Sequence, residues 1–311
     1  MVVIFHADDF GITLDQSKKI LNCCSGVDGG RGLLNSLSIL SNSPHFEECA
    51  ELLDGRPEGL RVGVHLNFVE GRCVADPAAV PMLVDERGMF KLGYGGLLAA
   101  SAMHGAELAR QVEIEAAAQV ERVVGRFPEL AGALRLDGHQ HTHLIPAVFR
   151  GVLAVASRPE YTLEYLRIPA EPASAFREAG VAGSIEPINR VKRGLLNYLW
   201  GRDRRAFEAA GLGSFEEKSA VFCGLSFSGR MDAERVSAVY PRLRDVAEKR
   251  GMALELLFHP GRVDAPEHCL NPDLPGFVEF SCGEGRDVEH AALQSGVLAA
   301  VAAKDLAGAD A

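Results

Sequence analysis

A short stretch, Asp137-Gly-His139-Gln-His141-Thr-His143, puts three imidazoles and a carboxylate at alternate positions. In an extended chain alternate side chains share a face, so these four groups would line one side together. Neutral imidazole is a good ligand for divalent ions, and this spacing, shortly before Pro146, points to a metal centre rather than to hydrogen-bonded core histidines. Catalytic metals take about three protein ligands and keep a position open, so the remaining groups would stand behind the ligands or face a substrate. Asp8 and Asp9 follow an apolar run and have two readings. They can cap a helix or close an Asx-turn, which Phe10-Gly11 would suit. Or they diverge from a curling strand end, one binding a metal and the other free as a base. His65 alternates with Gly63 and Asn67, and is either a buried structural histidine or a further ligand. His259 ends an apolar run just before Pro260-Gly261, which would present it on a turn as a general acid with a pKa near neutrality. Glu255, four positions earlier, would either orient His259 or pair with Arg167.

These groups need elements to hold them, and the hydrophobic pattern supplies a consistent set. Apolar, β-branched runs at 2–6, 33–40, 62–68, 133–139, 162–168, 219–223 and 253–259 read as seven strands. Helix-like spacing occupies 14–25, 44–54 and about 105–126 between them. The alternation predicts an α/β fold of parallel β/α units with a curled or closed, barrel-like sheet. In such architectures the ligand side is the carboxyl end of the strands, and four of these strand ends carry an acid or an imidazole. The Gly- and Pro-rich segment 70–101 reads as a loop insertion or lid, and 170–215 as a second insertion. The latter holds a basic patch, Arg190, Lys192, Arg193, Arg202, Arg204 and Arg205, read as a solvated helix face because acids surround it. The tail 286–304 has an apolar face and is expected to pack as a closing helix. No linker divides residues 1–311, so a single domain is expected.

Composition excludes more than it assigns. The 311 residues are 47% hydrophobic and 24% charged, with a net charge of −10, a globular balance without pull toward polyanionic nucleic acid or anionic membrane. No apolar run approaches the ~20 residues that span a bilayer, and the start MVVIFHADDF lacks the basic region of a signal peptide. Seven cysteines without framework spacing read as thiols of a cytoplasmic protein. One Trp and 7% aromatic residues offer no long stacking platform for an extended ligand.

HADDFG at 6–11, GVHLNF at 63–68, DGHQHTHLIP at 137–146, LRIPAE at 166–171 and LELLFHPG at 254–261 occur in this order. From residue 2 to about 262 the chain resembles the YdjC-like carbohydrate deacetylase family, which includes chitooligosaccharide deacetylases. That resemblance implies a (β/α) barrel-like fold of the glycoside hydrolase/deacetylase type and removal of acetyl from an N-acetylated amino sugar with a divalent metal, Mg²⁺ first. By the same resemblance Asp9, His65 and His139 are the metal ligands, Asp8 the general base and His259 the acid. Arg167 would orient substrate or carboxylate, while Asn67, Asp137, His141, His143 and Glu255 would bind substrate or support the ligands. His6 stands where the family usually has Asn. By ligand chemistry two imidazoles and a carboxylate suit Zn²⁺ better than Mg²⁺. The competing expectations are a metal-binding barrel without catalysis, and a glycoside hydrolase using Asp8 and Glu255. The partner expected is a small acetylated sugar, with a homodimer left open.

Overall fold

The computed structural model describes residues 1–24 and 32–306. Seven strands form one sheet: β1 (Val3–Phe10), β2 (Ser36–Ile39), β3 (Arg61–Leu66), β4 (Leu134–Gly138), β5 (Leu163–Leu166), β6 (Ala220–Cys223) and β7 (Ala253–Phe258). Their order is β5-β4-β3-β2-β1-β7-β6, and every neighbouring pair is parallel. The expected seven parallel strands are therefore present. Parallel strands need helical crossovers, which cover the sheet; this is why these strands read as unbroken apolar runs. β1 lies inside the sheet, between β2 and β7, and is buried at every position.

β5 and β6 are the outer strands of the sheet order, and side chains join them across the curl. Lys218 Nζ donates to the Leu163 carbonyl (2.9 Å), the Tyr165 hydroxyl donates to Glu255 of β7, and Ile4, Tyr165 and Ala220 form a small apolar cluster. The sheet thus curls toward a barrel, with a seam made by side chains.

Helices begin and end where capping chemistry allows. Thr13 caps Leu14–Leu21 by accepting from Gln16 N–H, and Asp232 caps Ala233–Arg250, which stops at Gly251 with φ 66°. The first helix is shorter than the expected 14–25, and residue 25 lies outside the described residues. Segment 70–101 differs from a free loop. Val80, Leu83, Val84, Phe90 and Leu97 are buried, and Tyr94–Met103 is a helix. The long helix Gly105–Arg126 ties the segment down: Glu115 accepts from Val74 and Ala75 N–H (both 2.9 Å), and Gln111 from Met82 N–H (2.7 Å).

In the 170–215 region, Pro187–Ala209 is a helix whose arginines serve local bonds. Arg190 donates to the carbonyls of Ile185, Ala182 and Gly183, and Arg204 pairs with Glu208. The tail is two helices, Gly285–Leu293 and Gly296–Leu306, where one was expected, because the chain breaks at Ser295-Gly296. Among the described residues no helix is long and apolar enough to cross a membrane.

Candidate active site

Strict alternation would send Asp8 and Asp9 to opposite faces of β1. Asp9 instead adopts φ 65°, a left-handed conformation that Asp tolerates better than most residues, and the β1–β2 register shifts between Ala7 and Phe10. Both carboxylates thereby reach the strand-end groups. Gln16 Nε2 donates to the Asp9 carbonyl (3.0 Å) and Gly11 N–H to Ser17 Oγ (3.0 Å), bonds that hold the irregular backbone.

The histidine-rich stretch does not stay extended, which corrects the expectation that Asp137, His139, His141 and His143 line one face. β4 ends at Gly138, and residues 139–144 form a tight turn with Gln140 and His141 at φ 52° and 57°. A Cβ at Gly138 would stand 2.6 Å from His143 Nδ1, so the turn requires glycine there. The side chains diverge. His139 points to Asp9 and Glu70, His141 packs edge-on against Phe222, and His143 Nε2 donates to the Arg167 carbonyl (2.9 Å).

Asp9, His65 and His139 converge. Asp9 Oδ1 is 3.0 Å from His139 Nδ1 and 3.4 Å from His65 Nε2, and the two nitrogens are 3.2 Å apart. Atoms bound at ~2.1 Å to one ion lie ~3.0 Å apart at a right angle and ~3.4 Å at a tetrahedral angle, so this triangle has the size of one coordination face. Asp9 Oδ1 is buried and takes no well-aligned hydrogen bond. The donor set therefore fits a divalent ion.

Each of the three is braced from behind, the arrangement that sets ring orientation and basicity in metal sites. His65 Nδ1 donates to Asp137 Oδ1 (2.6 Å), with Ser38 Oγ at 3.1 Å. His139 Nε2 donates to Glu70 Oε2 (3.0 Å), and Arg286 donates to Asp9 Oδ2 (2.5 Å). Asn67 faces away from the pocket. Its Oδ1 accepts from Val69 and Glu70 N–H (both 3.0 Å), shaping the turn that delivers Glu70.

Beside the triad, Arg167 is wholly buried among three acids. Its Nη1 donates to both oxygens of Asp8 (2.8 and 2.9 Å) and its Nε to Glu255 Oε1 (2.8 Å), while Nη2 lies 3.3 Å from Asp137 Oδ2. Of the two roles considered for Glu255, the structure shows the pair with Arg167. His6 joins this network: Nε2 stands 3.2 Å from both Asp8 and Asp137, and Nδ1 is 2.8 Å from Ser36 Oγ.

The network controls protonation. Burial opposes ionisation of Asp8, but Arg167 and then His65 outweigh it and hold the carboxyl well below the usual range. Burial is likewise overcome at Asp9 by Arg286 and His139, and at Asp137 by Arg167 and His65. His65 is pushed up to about 10: burial lowers it, and Asp8 and Asp137 more than reverse this. His139 is pushed up to about 9 against burial, chiefly by Asp9. His141 moves the other way, kept neutral by burial and then by the Arg167 charge.

His259 follows β7 and lines the same pocket as Asp8. Its Nε2 lies 3.9 Å from Asp8 Oδ2, and the buried Glu289 carboxylate receives its backbone N–H. A cavity of about 390 Å³ opens over Asp8, Asp9, His139, His141 and His259. Leu195, Leu196, Leu225, Phe277 and Phe280 wall it, and Tyr94 and Lys192 reach it from the two insertions. Glu70, Arg286 and Glu289 were not anticipated from the sequence. Glu70 follows a strand end and was findable by the same rule as Asp8. Arg286 and Glu289 share the buried face of the helix Gly285–Leu293 with Ala292 and Leu293, where charged residues are not expected.

The family model described as YdjC-like protein matches residues 2–304. Over 297 residues the chain is 32% identical to a carbohydrate deacetylase of Mus musculus, covering 92% of this chain and 82% of that protein. It is 26% identical over 205 residues to a chitooligosaccharide deacetylase of Escherichia fergusonii, covering 65% and 70%. A crystal structure from Enterococcus faecalis V583, of a protein named for cellobiose-phosphate cleavage, superposes with a TM-score of 0.63 at 18% identity, covering 97% of this chain and 94% of that one. That likeness speaks to the fold alone. From the match along nearly its whole length, the chain belongs to the YdjC-like protein family.

Proposed function

We propose that the protein is a divalent-metal-dependent hydrolase that removes the acetyl group from a small N-acetylated amino sugar, yielding acetate and the free amine. The observation that carries this reading is the triangle of Asp9, His65 and His139, of which Asp9 and His139 line an open pocket together with Asp8 and His259 while His65 stands buried behind them. The carbohydrate deacetylases among its relatives supply the substrate class. An ion held by the triangle supplies a Lewis acid for the amide carbonyl and lowers the pKa of a bound water. Asp8, kept ionised by Arg167, accepts the proton of the attacking water. Arg167 shares its charge with Asp137 and Glu255, which limits the penalty on that transfer. His259 Nε2, on the far side of Asp8, gives a proton to the departing nitrogen, because an amine anion is too poor a leaving group. A pocket of about 390 Å³ suits a small glycan.

The glycoside hydrolase alternative needs two carboxylates flanking the scissile bond. Asp8 and Glu255 both bind Arg167, and Glu255 is wholly buried and outside the pocket lining, which argues against that use. Mg²⁺ is proposed first on family grounds and Zn²⁺ second on the nitrogen-rich donors; elemental analysis of protein purified without chelator separates them. Activity is tested by mass spectrometry of N-acetylglucosamine oligomers incubated with protein and Mg²⁺ or Zn²⁺. Loss of one acetyl per event is expected, and Asp9→Asn should abolish it together with metal uptake. An inert panel of acetylated sugars, nucleotide sugars and lipid-linked glycans would refute the reading, and a non-catalytic metal-binding barrel would then stand.

A further inference from the structure

We propose that Glu289 is the positioning residue of His259: its carboxylate fixes the imidazole so that Nδ1 bears a proton toward Glu289 and Nε2 faces the pocket. The proposal rests on His259 acting as the proton donor of the deacetylation reading. Glu289 projects from the helix Gly285–Leu293 and is wholly buried. Its Oε2 accepts the His259 backbone N–H (2.5 Å) and lies 3.4 Å from the ring Nδ1, and its Oε1 is 3.4 Å from Met231 N. Among the described residues the only charged partner within ion-pair distance is His259 itself. A carboxylate taken out of water with no Lys or Arg beside it is strongly destabilising unless another group supplies donors or charge. The Nδ1–H of His259 supplies one.

The other groups facing the ring agree with this assignment. Phe280 meets the ring edge-on at 5.0 Å and offers no hydrogen-bond partner of its own there. Asp8 stands 3.9 Å from Nε2, on the pocket side. His141 also lines the pocket, and its ring packs edge-on against Phe222. The pair thus divides the imidazole: one nitrogen is committed to the protein and the other left for a substrate. It is the orienting logic of a catalytic histidine backed by a carboxylate. One turn earlier the same helix carries Arg286, whose contact with Asp9 is distinct and would survive loss of Glu289.

The test uses the full-length protein, ¹⁵N-labelled at histidine, metal-free and loaded with Mg²⁺ or Zn²⁺. Glu289→Gln keeps an acceptor for the backbone N–H and removes the charge; Glu289→Asp keeps the charge on a shorter stem. In wild type the neutral His259 ring should be the Nδ1–H tautomer. In Glu289→Gln the tautomer should become mixed, and kcat on N-acetylglucosamine oligomers should drop on the order of 10²-fold with KM within ~2-fold. Glu289→Asp should recover part of that loss. A Nε2–H tautomer in wild type overturns the proposal, and so does a folded Glu289→Gln with unchanged tautomer. Because the NMR readout needs no turnover, an inactive wild type would sink the deacetylation reading while still deciding the role of Glu289. Should Glu289→Gln not fold, the wild-type tautomer decides alone.

Discussion

Metal capture by this protein should be steeply pH-dependent, and the structure sets the size of the effect. In the metal-free protein His65 is pushed up to about 10 and His139 up to about 9, because the acids around them outweigh burial. Both values are raised above the ordinary 6.5, so both rings are imidazolium at neutral pH. A metal needs their neutral lone pairs, and two protons must leave. At pH 7 the solution lies about three and two units below those values, which at ~1.36 kcal/mol per unit is roughly 7 kcal/mol set against binding. The association constant should therefore rise ~100-fold per pH unit up to about pH 9, and more slowly above. Titration calorimetry with Zn²⁺ at pH 7, run in two buffers of different ionisation enthalpy, should report about two protons released per ion. Fewer than one, or an affinity constant from pH 6.5 to 8.5, would refute the protonation states assigned here. The linked stability has a definite sign. The imidazolium partnerships stabilise the metal-free fold fully below about pH 6.5, and this contribution is lost as pH rises through 9 and 10. Urea unfolding of metal-free protein should show that decline, and metal-loaded protein should not.

Other substitutions separate the supports of the site. Glu70→Gln removes the carboxylate behind His139 Nε2 and should weaken metal affinity ~10–100-fold with the fold retained, read by competition with a chelating dye. Arg167→Leu leaves Asp8, Asp137 and Glu255 without their shared cation in the interior. It should cost about 3–5 kcal/mol in urea denaturation; a loss under 1 kcal/mol would show that these acids are protonated or hydrated instead.

Much of this architecture could be read in the chain, for a physical reason. A parallel sheet covered on both faces demands unbroken apolar runs, and every run marked as a strand became one. The same logic, that ligands gather at carboxyl ends, marked Asp8, Asp9, His65 and the cluster 137–143 as candidates, while only the family resemblance singled out His139 within that cluster. It failed where the strand itself stopped. Past Gly138 the backbone turns left-handed, so the alternation predicted for His141 and His143 had no strand to act on. Arg286 escaped because its partner Asp9 is 277 positions away and the spacing within its own short helix says nothing of that partner. A buried charge is legible only when its counter-charge is known, and sequence spacing does not provide that.

The sheet order also carries a temporal meaning. From β1 to β5 each strand pairs with its neighbour in sequence, so Asp9, His65 and His139 are all present once residue 139 has been made. β7 must return to pair with the first strand, Val3 opposite Leu254, to bring His259 to the same site. Glu289 and Arg286 arrive later still. In the proposed reading, the three residues that would hold a cation are therefore all made before the residue that would pass a proton to the leaving group and before the carboxylate that would position it.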